Sequence, residues 1–135
     1  MLDRHFDGLD RRFPADAPSV TAARHALRDW LASSGVRATD AKTGELLLVA
    51  SELAGNAVRA KASWFRIRAW HDDAGLLIEV ADDGPGFDAP LPPLEQVPPL
   101  DAENGRGLFL VRMMADRCTI FTSETGTIVR CRLTL

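Results

Sequence analysis

Glu52 and Asn56 are four residues apart in a stretch of helical periodicity, so their side chains stack on one helix face. A carboxylate and an amide oxygen there suit proton acceptance and coordination of a hard divalent cation. Gly55 between them costs a helix about 1 kcal/mol relative to alanine, a cost that close approach of a ligand would explain. Further on, Leu76, Ile78 and Val80 alternate with Leu77, Glu79 and Ala81, the period of a strand. Asp82 continues the Leu76 row, and a carboxylate at the end of a core-facing row needs donors. Gly84 and Gly86 follow it and let backbone come close to a ligand. Asp82 could equally cap amides of its own turn, a common role for Asp before Gly. A third group, Gly105-Arg106-Gly107-Leu108, opens a helical pattern in which free N–H groups and the helix dipole suit phosphate. Arg106 adds a guanidinium. No Gly-Lys-Ser/Thr follows, which excludes a P-loop, and no strand precedes it as a dinucleotide fold requires.

The elements that must position these groups are legible in outline. An edge strand is expected near Leu9 to Phe13. Pro18 and Ser19 open a helix with the stripe Val20, Ala23, Leu27, Trp30 and Leu31, stopped by Gly35. A second helix runs from about Thr39-Asp40 to Ala60, with Leu46, Val49, Ala50, Leu53, Ala57 and Ala60 on one side. Strands Trp64–Trp70 and Leu76–Asp82 are joined by a hairpin turn at Asp72-Asp73-Ala74-Gly75. Residues 88–104 hold five of the eight prolines and little periodicity, the character of a lid or binding segment. After the helix that begins at Leu108 come strand Cys118–Ser123, a turn at Glu124-Thr125-Gly126, and strand Thr127–Leu135. Thr127 tips the row Val129, Cys131, Leu133 and Leu135, a polar end to an apolar face like that of Asp82. The order predicts an α+β fold, a mixed or antiparallel sheet with helices on one face.

Composition narrows the rest. The 135 residues suffice for one domain with a proper core. Net charge is −3, which gives no general pull toward nucleic acid or anionic lipid. The apolar runs are far shorter than a membrane span, and the first residues lack a signal-peptide core, so a cytoplasmic protein is expected. Cys118 and Cys131 have neither metal-knuckle nor redox-motif spacing and read as reduced packing thiols. His5, His25 and His71 form no cluster. Arginine outnumbers lysine fourteen to two, which reads as codon usage rather than function.

Glu-x-x-x-Asn on a helix, Asp-x-Gly-x-Gly after a strand, a lid, Gly-x-Gly-Leu at a helix start and Gly-Thr on a late strand occur in that order. Over residues 45–135 this resembles the GHKL ATPase superfamily, which takes in gyrase-type ATPases and sensor histidine kinases. The resemblance implies a Bergerat fold, a two-layer α/β sandwich spanning 1–135, with bound ATP and Mg²⁺. It implies that Glu52 is the general base and Asn56 a magnesium ligand at the nucleotide. Asp82 would accept a hydrogen bond from the adenine amino group, with Gly84 and Gly86 along the nucleotide. Gly105, Arg106, Gly107 and Leu108 would hold the phosphates, and the lid 88–104 would close over them. Thr127, preceded by Gly126, would help fix adenine beside the aspartate.

A lone domain of this length looks like the anti-sigma factor serine-protein kinases of bacterial partner switching. In that family the protein binds a sigma factor and phosphorylates a Ser or Thr on a small STAS-type anti-anti-sigma antagonist. Pairing into a homodimer through the sheet or first helix is common there. Arg24 sits where the family carries a partner-contacting arginine; a solvated arginine is the other reading of it. Two departures stand out: Gly55 replaces a frequent Thr or Ser, and the glycine motif is a short Asn-Gly-Arg-Gly. The alternatives are a nucleotide-binding regulatory module without phosphotransfer, or the catalytic ATP-binding domain of a sensor histidine kinase.

Overall fold

The structure, a computed structural model, describes residues 7–84 and 110–135. The expectations for the lid 88–104 and for Gly86, Gly105, Arg106, Gly107 and Leu108 lie outside the described residues. The chain runs β1 (Leu9–Pro14), α1 (Ala17–Ser33), α2 (Asp40–Arg59), β2 (Trp64–Asp72), β3 (Gly75–Asp82), β4 (Arg117–Ser123) and β5 (Gly126–Thr134). Residues 110–114 are helical ahead of β4.

Local chemistry sets the helix ends. Asp16 caps α1 by accepting from the Ser19 amide at 2.8 Å, with Pro18 in the first turn. Thr39 caps α2 in the same way through the Lys42 amide at 3.0 Å. At its other end α2 closes on Ala60, and Lys61 takes a left-handed conformation (φ 60°) that turns the chain toward β2. That turn matters below, because it delivers Ala62 and Ser63 to the loop after β3.

The sheet has the order β1-β2-β3-β5-β4 and every pair is antiparallel. The fold is therefore α+β, as expected. Phe65 and Ile67 of β2, Ile78 and Val80 of β3 and Leu133 of β5 share one face, buried against Leu27 of α1 and Leu46, Val49 and Leu53 of α2. Each such aliphatic or aromatic side chain contributes roughly 1.5–3 kcal/mol on burial. Ser19 is buried in the same layer, a polar position the apolar stripe of α1 did not reveal.

The opposite face explains much of the arginine excess. Glu79, only 6% exposed in the central strand, accepts from Arg130 Nε at 2.9 Å and Nη2 at 2.7 Å, with Arg68 at 3.7 Å. Asp10 receives a two-pronged bond from Arg66 (2.7 and 2.6 Å), and Asp72 one from Arg132 (2.9 and 2.8 Å). Two parallel N–H groups on one side chain require guanidinium, so lysine would not serve here. Codon usage is thus an incomplete account of the composition. The same arginines cover Leu77 and Glu79, so β3 is buried on both faces rather than half-buried as its alternation suggests.

Candidate functional site

Asp82 and Thr127 end the apolar rows of β3 and β5, and the sheet register sets them directly opposite each other. They extend the helix-facing rows, since each is two residues from a core valine, Val80 and Val129. The Gly84 amide donates to Asp82 Oδ1 at 2.8 Å, so the turn-capping role is real but occupies one oxygen. Oδ2 takes no hydrogen bond from the described residues. Burial pushes the Asp82 carboxyl above the ordinary aspartate value; the Gly84 amide opposes this, and neighbouring Asp83 adds to it. Thr127 is 3% exposed, and its Oγ1 has no hydrogen-bond partner among the described residues. An orphaned buried hydroxyl is costly and asks for a ligand atom. Side by side, a carboxylate oxygen that can accept and a hydroxyl that can donate or accept offer a paired hydrogen-bonding edge to a ligand.

Two glycines hold this corner together. A Cβ on Gly126 would stand 2.0 Å from the Asp82 carbonyl oxygen, and φ there is 154°. Gly126 therefore lets β5 meet the end of β3. On Gly84 a Cβ would press on Ala62 Cβ and on Asp82 Oδ1, both at 3.2 Å. The close approach at Gly84 is thus made by the protein itself, with its amide holding the Asp82 carboxylate in place.

The helix bearing Glu52 and Asn56 is tied to this corner through its exit. Asp83 Oδ1 accepts from the amides of Ser63 (2.7 Å) and Trp64 (3.2 Å), while Ala62 lies against Gly84. Both Glu52 and Asn56 are half-buried on α2. Asn56 Oδ1 accepts from Arg59 Nη2, and Asn56 Nδ2 is buried without a partner among the described residues. A Cβ on Gly55 would come within 3.2 Å of Arg59 Nη1. Arg59 was missed in the sequence, although it continues the face of Glu52 and Asn56 by one further turn, and that spacing was the available signal. An unsatisfied amide donor and an exposed guanidinium suit polyphosphate oxygens. Among the described residues no group of three or more His, Cys, Asp and Glu side chains gathers to hold a metal. A cation here would lean on Asn56 and on oxygens brought by the ligand. Arg24 is half-buried on α1 and takes no part in the bonds joining α2 to the Asp82 loop.

A cavity of about 390 Å³ touches Asp82 and Thr127 but is lined chiefly by Trp64, Ala81, Phe121 and Ile128, which belong to the outer sheet face. It includes neither Glu52 nor Asn56. It meets the Asp82 corner from the outer sheet face, the side away from α2.

The family of histidine kinase-like ATPase domains matches residues 13–133, nearly the whole chain. The chain belongs to the histidine kinase-like ATPase family. Membership implies ATP binding, and it fits the donor-seeking corner at Asp82 and Thr127. Among solved structures, one similar to it holds the RsbU and RsbW domains of Rv1364c from Mycobacterium tuberculosis, with a TM-score of 0.68 at 20% identity. The match covers 95% of this chain and 33% of that one, so this chain spans about a third of its length. That likeness supports the fold. No curated protein sequence matches.

Asp82→Asn tests the expected adenine contact separately from the fold. The replacement keeps a carbonyl for the Gly84 amide but can present an NH₂ where the adenine amine needs an acceptor. Loss of a bond to a charged group, worth about 1.5–3 kcal/mol, should weaken ATP binding by roughly ten- to a hundred-fold. Stability should move the other way. The folded-state carboxyl titrates above its unfolded value, so its contribution is present at low pH and lost as pH rises through the folded value. At neutral pH the amide removes that penalty, and Tm without nucleotide should rise. Calorimetry with and without ATP checks both; unchanged affinity would remove the adenine assignment.

Proposed function

We propose that this chain is a Mg²⁺- and ATP-dependent serine/threonine-protein kinase that binds a sigma factor and phosphorylates a STAS-type anti-anti-sigma antagonist. One observation carries the reading. The Asp82–Thr127 corner carries an unmet hydrogen-bonding need, and the helix tied to it bears Glu52 one turn from Asn56. Adenine at the corner directs the rest of the nucleotide along α2. Asn56 and Arg59 hold its phosphate end, and Asn56 would be the residue to hold Mg²⁺, which would neutralise charge on the phosphates. To make that contact Arg59 must release Asn56 Oδ1 and turn its guanidinium to the phosphates. Glu52 accepts the proton of the substrate hydroxyl, and its half-buried position keeps the carboxylate from freely exchanging partners with water. ATP supplies the phosphoryl group, and the protein supplies position and charge. In this reading Gly84 and Gly86 lie along the nucleotide, Gly105, Arg106, Gly107 and Leu108 hold the phosphates, and residues 88–104 are the lid. Arg24 contacts the protein partners, and a homodimer presents two such surfaces.

The test is to incubate the purified chain with radiolabelled ATP, Mg²⁺ and small STAS-type proteins encoded nearby. Label on a Ser or Thr of one of them supports the kinase. Bound nucleotide with no label on any of them would leave a regulatory nucleotide-binding module, and label on a histidine would point to a histidine kinase. A companion prediction concerns the metal. Asn56→Ala should remove the Mg²⁺ dependence of ATP binding, measured as affinity with Mg²⁺ against affinity with chelator. If the dependence persists, the cation is held elsewhere.

A further inference from the structure

Cys118 and Cys131 lie in the two arms of the β4–β5 hairpin, which sets them directly opposite each other. The hairpin closes on the pair Ser123 and Gly126 across a two-residue turn. Hydrogen-bonded and non-hydrogen-bonded pairs alternate outward from such a closing pair, which makes Cys118 and Cys131 a non-hydrogen-bonded pair. Cα atoms in those pairs are about 4.5 Å apart, inside the span of roughly 4.4–6.8 Å that a disulfide bridges. Both side chains lie on the helix-covered face of the sheet, Cys131 in the core and Cys118 packed against it.

Their surroundings differ in a useful way. Cys131 is fully buried between β3 and β4, opposite Ile78. Cys118 is only partly buried and borders a surface cavity of about 250 Å³ lined also by Arg112, Asp116 and Arg117. The hydrogen bond from Cys131 lowers the Cys118 thiol below its ordinary value, and the Arg112 charge helps against burial. Its partner is pushed up by that same bond and by desolvation, and stays a thiol. One cysteine thus borders the surface with its thiol lowered, and the other is its buried cross-strand neighbour with its thiol raised.

We propose that Cys118 and Cys131 form a hydroperoxide-sensitive dithiol, with Cys118 the reacting thiolate and Cys131 the resolving thiol. The Cys118 sulfur attacks the O–O bond and takes one oxygen as a sulfenic acid; the other oxygen takes a proton and leaves as water or an alcohol. The Cys131 sulfur then bonds to Cys118, and its proton departs with the sulfenic hydroxyl as water. In sum two thiols lose two electrons and the hydroperoxide gains them, leaving one disulfide. The bridge would pin edge strand β4, which follows the 110–114 helix, to the strand that carries Thr127.

The full reduced chain is treated with one equivalent of hydrogen peroxide, alkylated, and mapped by mass spectrometry without reductant. Both thiols should disappear together, with a mass loss of two hydrogens, a linked Cys118–Cys131 peptide and full reversal by dithiothreitol. Cys118→Ser should leave Cys131 unoxidised, and Cys131→Ala should stop at a Cys118 sulfenic acid that dimedone traps. Thiols that survive excess peroxide, a linkage between two chains, or Cys131 oxidised ahead of Cys118 would each overturn the assignment. Should Cys131→Ala fail to fold, the wild-type map and Cys118→Ser decide alone.

Discussion

Glu52→Gln should lower phosphotransfer by about 10²–10⁴-fold while leaving ATP affinity near that of the parent chain. The substitution keeps the volume and the helix propensity of the position but replaces the carboxylate with an amide, which cannot serve as a general base. The nucleotide contacts assigned to Asp82, Thr127, Asn56 and Arg59 do not pass through it, so binding should persist. The expected kinetic signature is a fall in kcat with little change in KM for ATP, because the lost interaction acts on the transferring step alone. Glu52 is half-buried, and none of the ion pairs on the sheet's outer face involve it. A collapse of stability on its replacement is therefore not expected, and circular dichroism would separate that outcome. Transfer at the parent rate would remove the general-base role while leaving the nucleotide site in place.

Periodicity and capping chemistry made the elements legible to within a few residues. Thr39 is the cap of α2, and the short turn before Gly75 closes the β2–β3 hairpin, as their residue types require. What a linear reading missed depends on strand order. Nothing in the sequence says that β5 inserts between β3 and β4, yet that insertion makes Asp82 and Thr127 neighbours. Burial of Glu79 was hidden for a related reason: its partners Arg68 and Arg130 come from strands on either side. Arg59 escaped because a charged residue at a helix end usually means solvent, and only the structure bends it back over Gly55 and Asn56. Asp82 itself was readable, because a carboxylate at the tip of an apolar row breaks a pattern that packing alone would preserve.

The same corner yields the largest structural prediction. Gly126→Ala would place a methyl group 2.0 Å from the Asp82 carbonyl oxygen, which is backbone and cannot swing aside. The strained backbone and the overlap each cost about 1–3 kcal/mol, so a loss of roughly 2–6 kcal/mol and a Tm fall of roughly 10 °C or more are expected. Relief requires β5 to move off the end of β3, which parts Thr127 from Asp82, so ATP affinity should fall even where folding survives. Gly44→Ala is the matched control, since that α2 position has nothing within 4 Å of a new Cβ. There alanine should raise stability by about 0.5–1 kcal/mol through helix propensity. Urea unfolding of the two variants should therefore move in opposite directions from the parent. If Gly126→Ala binds ATP and unfolds like the parent, β5 does not abut Asp82 as described, and the adenine corner loses its geometry.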